Sequence, residues 1–458
     1  MAFNSLGFII FFIITLTIIA IIDYFICDTR VRNIALLLIS LVFYSLFNVL
    51  YLLLLLFVII YTYFFAKKIK EKSYLLIVSI CISILILFIF KYFNFFADTL
   101  INLLHINNPL FINLVLPIGI SFYLFKSISY LVDIKKGKIE VENDPVIVAL
   151  YLCFFPEIVA GPISRFSDLL NQFKSNIKIN GKDLSTGLQI FIIGLFKKIV
   201  LADNIAVFVN EVYRAPKIYS SATIVLCIIA YSFQIYLDFS GYSDMAIGCS
   251  KMLGYDIKRN FNMPYLSHNV TEFWKRWHIS LSSWLQDYLY IPLGGNRKGE
   301  IRQFVNLIIT MVIGGLWHGS KWTFILWGLV NGIALVVHKL YTKNRKNNKS
   351  GLLSVLITFI FVSFVWVLFR ADNLQNAIDL YLSIFNGKGI NYIHLNSIVC
   401  ILICLIVMIF SYIKNKSEAV YILQDLNTIK GLVITILFIG IIIGFAYTGS
   451  NPFIYASF

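Results

Sequence analysis

The chain has 458 residues, of which 13% are charged and 59% apolar, with a mean hydropathy of +0.83. A soluble domain carries about 25% charged residues, so this composition excludes a water-facing globule, a disordered chain and a disulfide-stapled secreted domain. The apolar runs are continuous rather than alternating, which excludes a membrane β-barrel, and the broad class is an all-α polytopic membrane protein. The net charge of +15 sits in short loops between apolar runs, where it orients a membrane protein rather than binding nucleic acid. Seven cysteines, Cys27, Cys81, Cys153, Cys227, Cys249, Cys400 and Cys404, show no metal-ligand spacing and read as small hydrophobes.

Apolar runs fall near 8–26, 34–66, 74–96, 111–132, 146–160, 186–208, 220–250, 303–318, 322–338, 352–369, 397–413 and 431–448. A helix crosses the ~30 Å hydrocarbon core with about 20 residues at 1.5 Å each. The run Ile34–Ala66 is too long for one span and predicts two, hinged near Asn48. The total is about eleven to thirteen spans, some short or broken. The first basic residue, Arg30, follows the first run, so that run is expected to remain as a span rather than be cleaved as a signal. Arg30 and Arg32, Lys67 to Lys72, Lys135 to Lys138, Lys339 to Lys349, and Lys414 with Lys416 mark cytoplasmic loops, which places the N-terminus outside. No internal repeat supports an inverted-repeat transporter. One membrane domain over 1–458 is expected: N-terminal helices at 1–110, a motif-bearing core at 111–372 and C-terminal helices at 373–458.

Two regions do not read as lipid-facing helix. In the first, Trp274, Trp277, Leu281, Trp284, Leu285 and Tyr288 share one helical face, with Lys275, Arg276, Gln286 and Asp287 off it. This predicts an amphipathic helix at the bilayer interface, ended at Pro292, with His278 on its apolar side. In the second, Gly314, Gly315 and Gly319 surround Trp317-His318 inside an apolar stretch, and the run before them looks short for a span. Broken or re-entrant backbone is expected there, and such backbone is tolerated only inside protein or beside a wet cavity. An ionisable residue at membrane depth is a functional candidate, so His318 leads and His278 follows. His105, His268, His338 and His394 read as solvated or snorkelling side chains. Lys126 is expected to face a polar interior, and Asp238 and Asp244 to pair with cations across the bundle. Gly314 to Ser320 lacks the Gly-Lys-Ser/Thr order of a phosphate loop, and no metal set is evident.

Trp317-His318-Gly319 with Phe324 and Trp327-Gly328 resembles the signature of the membrane-bound O-acyltransferases (MBOAT). The run from Phe273-Trp274-Lys275-Arg276-Trp277-His278 to Gly294-Gly295-Asn296 resembles its bacterial subgroup. That subgroup holds the alginate, peptidoglycan and cellulose O-acetylation proteins and, more distantly, the teichoic acid D-alanyl transfer protein. Further matches are Leu116 to Tyr123, Phe155 to Ile163, Asp238 to Asp244, Trp366 to Asp372 and Phe453 to Tyr455, while Gln286 and Lys126 depart from the pattern. The resemblance implies a ring of helices with an extracytoplasmic funnel, a thin centre and a cytoplasmic tunnel meeting near His318. It implies an O-acyltransferase of the bacterial cytoplasmic membrane with no bound cofactor. The donor would be acetyl-CoA or another acyl thioester, and the acceptor a cell-envelope polysaccharide. An extracytoplasmic partner of the SGNH-hydrolase type would complete transfer.

A thioester is already activated, so the remaining work is to deprotonate a hydroxyl and stabilise an oxyanion. Imidazole, with an ordinary pKa near 6.5, suits the base, and His318 is the expected one, with His278 beside it. Trp317, Gly315, Gly319, Arg276, Asp287, Asp238 and Asp244 are supporting candidates. Among them, backbone N–H groups freed at Gly314, Gly315 and Gly319, or the Arg276 and His278 side chains, could serve the oxyanion. D-alanyl transfer from a carrier-protein thioester, or transport without covalent chemistry, would be the competing readings.

Overall fold

The computed structural model describes residues 2–105, 115–343, 351–413, 428–449 and 451–454. Arg345, Lys346, Lys349, Lys414, Lys416 and Tyr455 lie outside the described residues. Eight described helices are long and apolar enough to cross a bilayer: Leu6–Ile26, Val49–Lys68, Tyr74–Leu104, Ser221–Met252, Glu300–His318, Trp322–Lys343, Leu352–Arg370 and Leu395–Ile413. Ile429–Phe445 is a shorter apolar helix. The run 34–66 divides as expected: Thr29–Ser45 ends, and Val49–Lys68 begins with the Asn48 side chain accepting the Leu50 N–H at 2.8 Å. An asparagine satisfies an orphan N–H at a helix start in this way.

The remaining apolar runs are helical as well. Those near 111–132 and 146–160 become Ile120–Lys135 and the short pair Pro145–Cys153 and Phe155–Ile158, while that near 186–208 lies in a continuous helical stretch made of Gly181–Leu195, the π-helical turn Phe196–Ala202 and Asp203–Arg214. They carry Lys126, Glu157 and Lys198, all buried, and such groups need protein partners rather than lipid.

The chain divides into two compact units, Met1–Phe191 with Met245–Lys258, and Ile192–Asp244 with Arg259–Phe458. In the first, the Lys126 ammonium pairs with Glu157 and donates to the Tyr151 carbonyl at 2.9 Å, while the Ser164 hydroxyl donates to the other Glu157 oxygen. Lys126 thus faces a polar interior, as expected. Arg32 is held by Asp23 at 2.8 Å, by the Leu253 carbonyl at 2.6 Å and by the Tyr255 hydroxyl. Gly119 has φ +73°, and a Cβ built there would lie 2.0 Å from the Ile158 carbonyl oxygen. Both the left-handed backbone and the contact demand glycine. Gly119→Ala should therefore cost more than the ~1–2 kcal/mol of left-handed strain alone. A thermal unfolding scan showing a loss within that strain would deny the close approach.

In the second unit, Glu300–His318 and Trp322–Lys343 form a tight hairpin. A Cβ at Gly315 would meet the Phe324 carbonyl oxygen at 2.2 Å, and one at Gly328 would meet that of Met311 at 2.3 Å. Small residues let the two backbones approach this closely. This corrects the expectation of broken backbone around Gly314 and Gly315. The helix runs unbroken through His318, and Gly315 serves its close packing on the returning helix. The amphipathic stretch is corrected in the other direction. It is not one helix but Val270–Arg276, a turn at Trp277–His278 with His278 at φ +44°, then Ile279–Leu285 and the π-helical turn Gln286–Tyr290. The apolar pattern still foretells burial, since Trp277, Leu281, Trp284 and Leu285 are all buried.

Candidate active site

His318 is the last residue of its helix; Gly319 beyond it is extended, at φ −171°. Its ring is 2% exposed and packs edge-on against Trp317, Trp327 and Phe369, at centroid distances of 5.0, 5.3 and 5.1 Å. Trp327 in turn stacks on Trp366 at 5.6 Å. This aromatic shell fixes the imidazole from several sides. The ring also contributes to the wall of a cavity of about 570 Å³. Gly314, Thr310 and Gln303 line it from the His318 helix, Trp327, Lys339 and Thr342 from the returning helix, and Trp274, Lys275 and Ser282 from the 270–290 segment. An imidazole bordering a cavity of this size can take a proton from a bound hydroxyl. The Trp274 indole N–H is buried there without a hydrogen-bond partner among the described residues, so it can donate to a carbonyl oxygen.

His278 is fully buried and is not part of the cavity wall. Its ring lies 6.4 Å from that of His318, 5.9 Å from Trp317 and 4.6 Å from Phe239. Trp317 therefore contacts both histidines. Nδ1 of His278 is 3.1 Å from Oδ1 of Asn260, a residue that no local sequence pattern singled out. His278 lies outside the spanning helices, and burial pushes its pKa down to about 3. The unfolded chain, with an ordinary histidine, takes up a proton at a pH where the folded one does not. The stability this residue lends is thus full above pH ~6.5. It is lost as pH falls from there toward about 3. Unfolding scans should show wild type losing stability across that window more steeply than His278→Gln. Equal slopes would deny the neutral buried imidazole.

The other candidates separate from this centre. Asp238 pairs with Lys198 at 2.7 Å and accepts the Ile454 N–H at 2.9 Å, and Lys198 also binds Asp203 at 2.7 Å. Asp244 pairs with Lys197 at 2.6 Å. Both aspartates thus pair with cations, as expected, and Lys198 was the unforeseen hub. Arg276 is held by Glu272 at 2.6 Å, and neither it nor Asp287 lines the cavity. The oxyanion role expected of the Gly314 and Gly315 N–H groups is corrected. Both lie inside a continuous helix, where those groups serve the helix, and the Gly319 N–H donates to the Gly315 carbonyl at 3.3 Å. Among the secondary histidines, His338 is more than a snorkelling side chain. It lines the cavity, with Nδ1 2.8 Å from the Thr271 hydroxyl.

Residues 39–378 match the family model of the membrane-bound O-acyltransferases. The chain is 39% identical to a peptidoglycan O-acetyltransferase of Helicobacter pylori, over 81% of this chain and 78% of that one. It is 38% identical to a probable alginate O-acetylase of Pseudomonas aeruginosa, over 79% and 71% respectively. It is 29% identical to a teichoic acid D-alanyltransferase of Bacillus subtilis, over 56% and 69%. The match takes in the Lys126–Glu157 core and the His318 hairpin with its cavity, so the helical membrane architecture and the candidate site fall within one region of similarity. The chain belongs to the membrane-bound O-acyltransferase (MBOAT) family and is an O-acyltransferase.

Proposed function

We propose that this protein moves an acyl group, acetyl in the first instance, from a cytoplasmic thioester donor across the membrane onto a hydroxyl of an extracytoplasmic cell-envelope polysaccharide. His318 is the base at the transfer centre. The observation that carries this reading is the seat of His318 in the wall of a cavity of about 570 Å³ that also has Lys275 and Lys339 on its boundary. The two cations suit a donor with phosphate groups, and the imidazole suits proton removal. A charged donor cannot cross the bilayer, so only the small acyl group passes. The positive loops support a cytoplasmic end near Lys339 and Lys343 and an N-terminus outside. The membrane is the bacterial cytoplasmic membrane, and the whole chain acts as one MBOAT domain. An extracytoplasmic SGNH-type enzyme completes delivery to the polymer. Acetyl is preferred to D-alanyl because the O-acetylating relatives are more similar over more of the chain than the D-alanyltransferase.

Sealed vesicles holding the protein, with labelled acetyl-CoA on the cytoplasmic side and polysaccharide together with an SGNH-type acetyltransferase outside, test the reading. Label should reach the outer polymer with release of free thiol. Passage of label without thioester consumption would favour a transporter.

A further inference from the structure

His278 occupies an improbable backbone state. A non-glycine residue at φ +44° is held there only by what surrounds it. The surroundings come from Asn260. Its carbonyl accepts the Ile279 N–H at 2.8 Å, and two residues on, the Asn262 N–H donates to the Arg276 carbonyl at 2.9 Å. The Asn260 side chain then adds three contacts through one atom. Oδ1 lies 3.1 Å from the Ser280 backbone nitrogen, 2.9 Å from the Ser280 hydroxyl and 3.1 Å from Nδ1 of His278. Asn260 is itself 1% exposed.

These contacts settle a proton. The Ser280 backbone N–H can only donate, so the atom it meets must be the amide oxygen; a flipped amide would set donor against donor. That oxygen can only accept. The His278 Nδ1 facing it must therefore carry the hydrogen, and Nε2 is the acceptor nitrogen of the neutral ring. We propose that Asn260 is a positioning residue for acyl transfer: it holds His278 in the left-handed turn as the Nδ1–H tautomer, so that the centre containing His318 has a fixed acceptor nitrogen beside it. This rests on the reading of the His318 centre given above, while the tautomer itself does not. Among the described residues, the rings packed on that of His278 include Phe239, Phe261, Trp317 and His318. Of these His318, at 6.4 Å, is the titratable one.

The test uses the full chain in lipid, labelled with 15N-histidine and observed by magic-angle-spinning NMR, with His278 assigned by its loss in His278→Gln. The wild type should show the Nδ1–H nitrogen pattern for His278, unchanged from pH 5 to 9. Asn260→Asp keeps the accepting oxygen but places a negative charge on Nδ1–H. His278 should then become protonated as pH falls within that range, and acyl transfer should gain a second acid limb beyond the one the His318 base gives the wild type. Asn260→Leu removes the acceptor and should mix the tautomers and slow transfer by at least about 10-fold. An Nε2–H tautomer or an imidazolium in the wild type at neutral pH would overturn the assignment. So would an Asn260→Asp pH profile superimposed on the wild type, whatever Asn260→Leu does to folding. The expected NMR results, in a protein that transfers from no thioester, would uphold the Asn260–His278 arrangement and count against the acyl-transfer reading alone.

Discussion

Vesicles carrying His318→Ala are expected to move acyl groups about 10²–10⁴ times more slowly than wild type, the usual worth of a positioned general base. The protein should still insert. His318 sits at the end of its helix, beside a cavity, and its neighbours are large rings that hold one another, Trp327 on Trp366 and Phe324 on Phe369. His318→Gln keeps polarity and most of the volume and should be equally inactive, which separates the base from its packing. The assay is label reaching outer polymer per inserted protein. Wild-type rates in either variant would remove His318 from the chemistry.

Lys126→Met should destabilise the protein by about 3–5 kcal/mol, because it strands the Glu157 carboxylate in the interior. Both partners are almost fully buried, at 3% and 0% side-chain exposure, and each also holds polar groups around it, Lys126 the Tyr151 carbonyl and Glu157 the Ser164 hydroxyl. The double variant Lys126→Met with Glu157→Met removes both charges and should recover much of the loss, since a buried pair replaced by apolar side chains is often neutral. Unfolding in a constant detergent with both single variants and the double completes the cycle. A double variant no more stable than the sum of the singles would show that the two groups do not act as a pair. The site is carried by the other unit, so transfer per folded molecule should change far less than stability.

Much of the architecture was legible because lipid is an exacting solvent. A segment that must satisfy its own backbone in hydrocarbon has to be helical, apolar and about 20 residues long. Composition, the break at Asn48 and most helices could therefore be read directly. His318 was legible for the same reason, as an ionisable group that lipid would reject. Asn260 was not, since its meaning lies in contacts with residues 18 and 20 positions away, and an isolated Arg-Asn-Phe sequence announces none of them. His338 was misjudged because a histidine near a span end has the same local signature whether it faces water or a cavity.

The sequence by itself determined the class of protein and most of its apolar helices, and it singled out His318 as a candidate, because these follow from period, length and the cost of burying charge. Tertiary structure alone decided how the glycines and histidines are used. Gly314 and Gly315 look like helix breakers in one dimension, yet Gly315 brings its helix against the Phe324 carbonyl, and the helix stays whole. His278 looks like one more residue on an apolar stripe, yet hydrogen bonds from a distant segment bend the chain there and orient its ring. The physical reason is common to both. Periodicity records which side of an element is buried, whereas close backbone approach and hydrogen-bond direction depend on partners supplied from elsewhere in the chain.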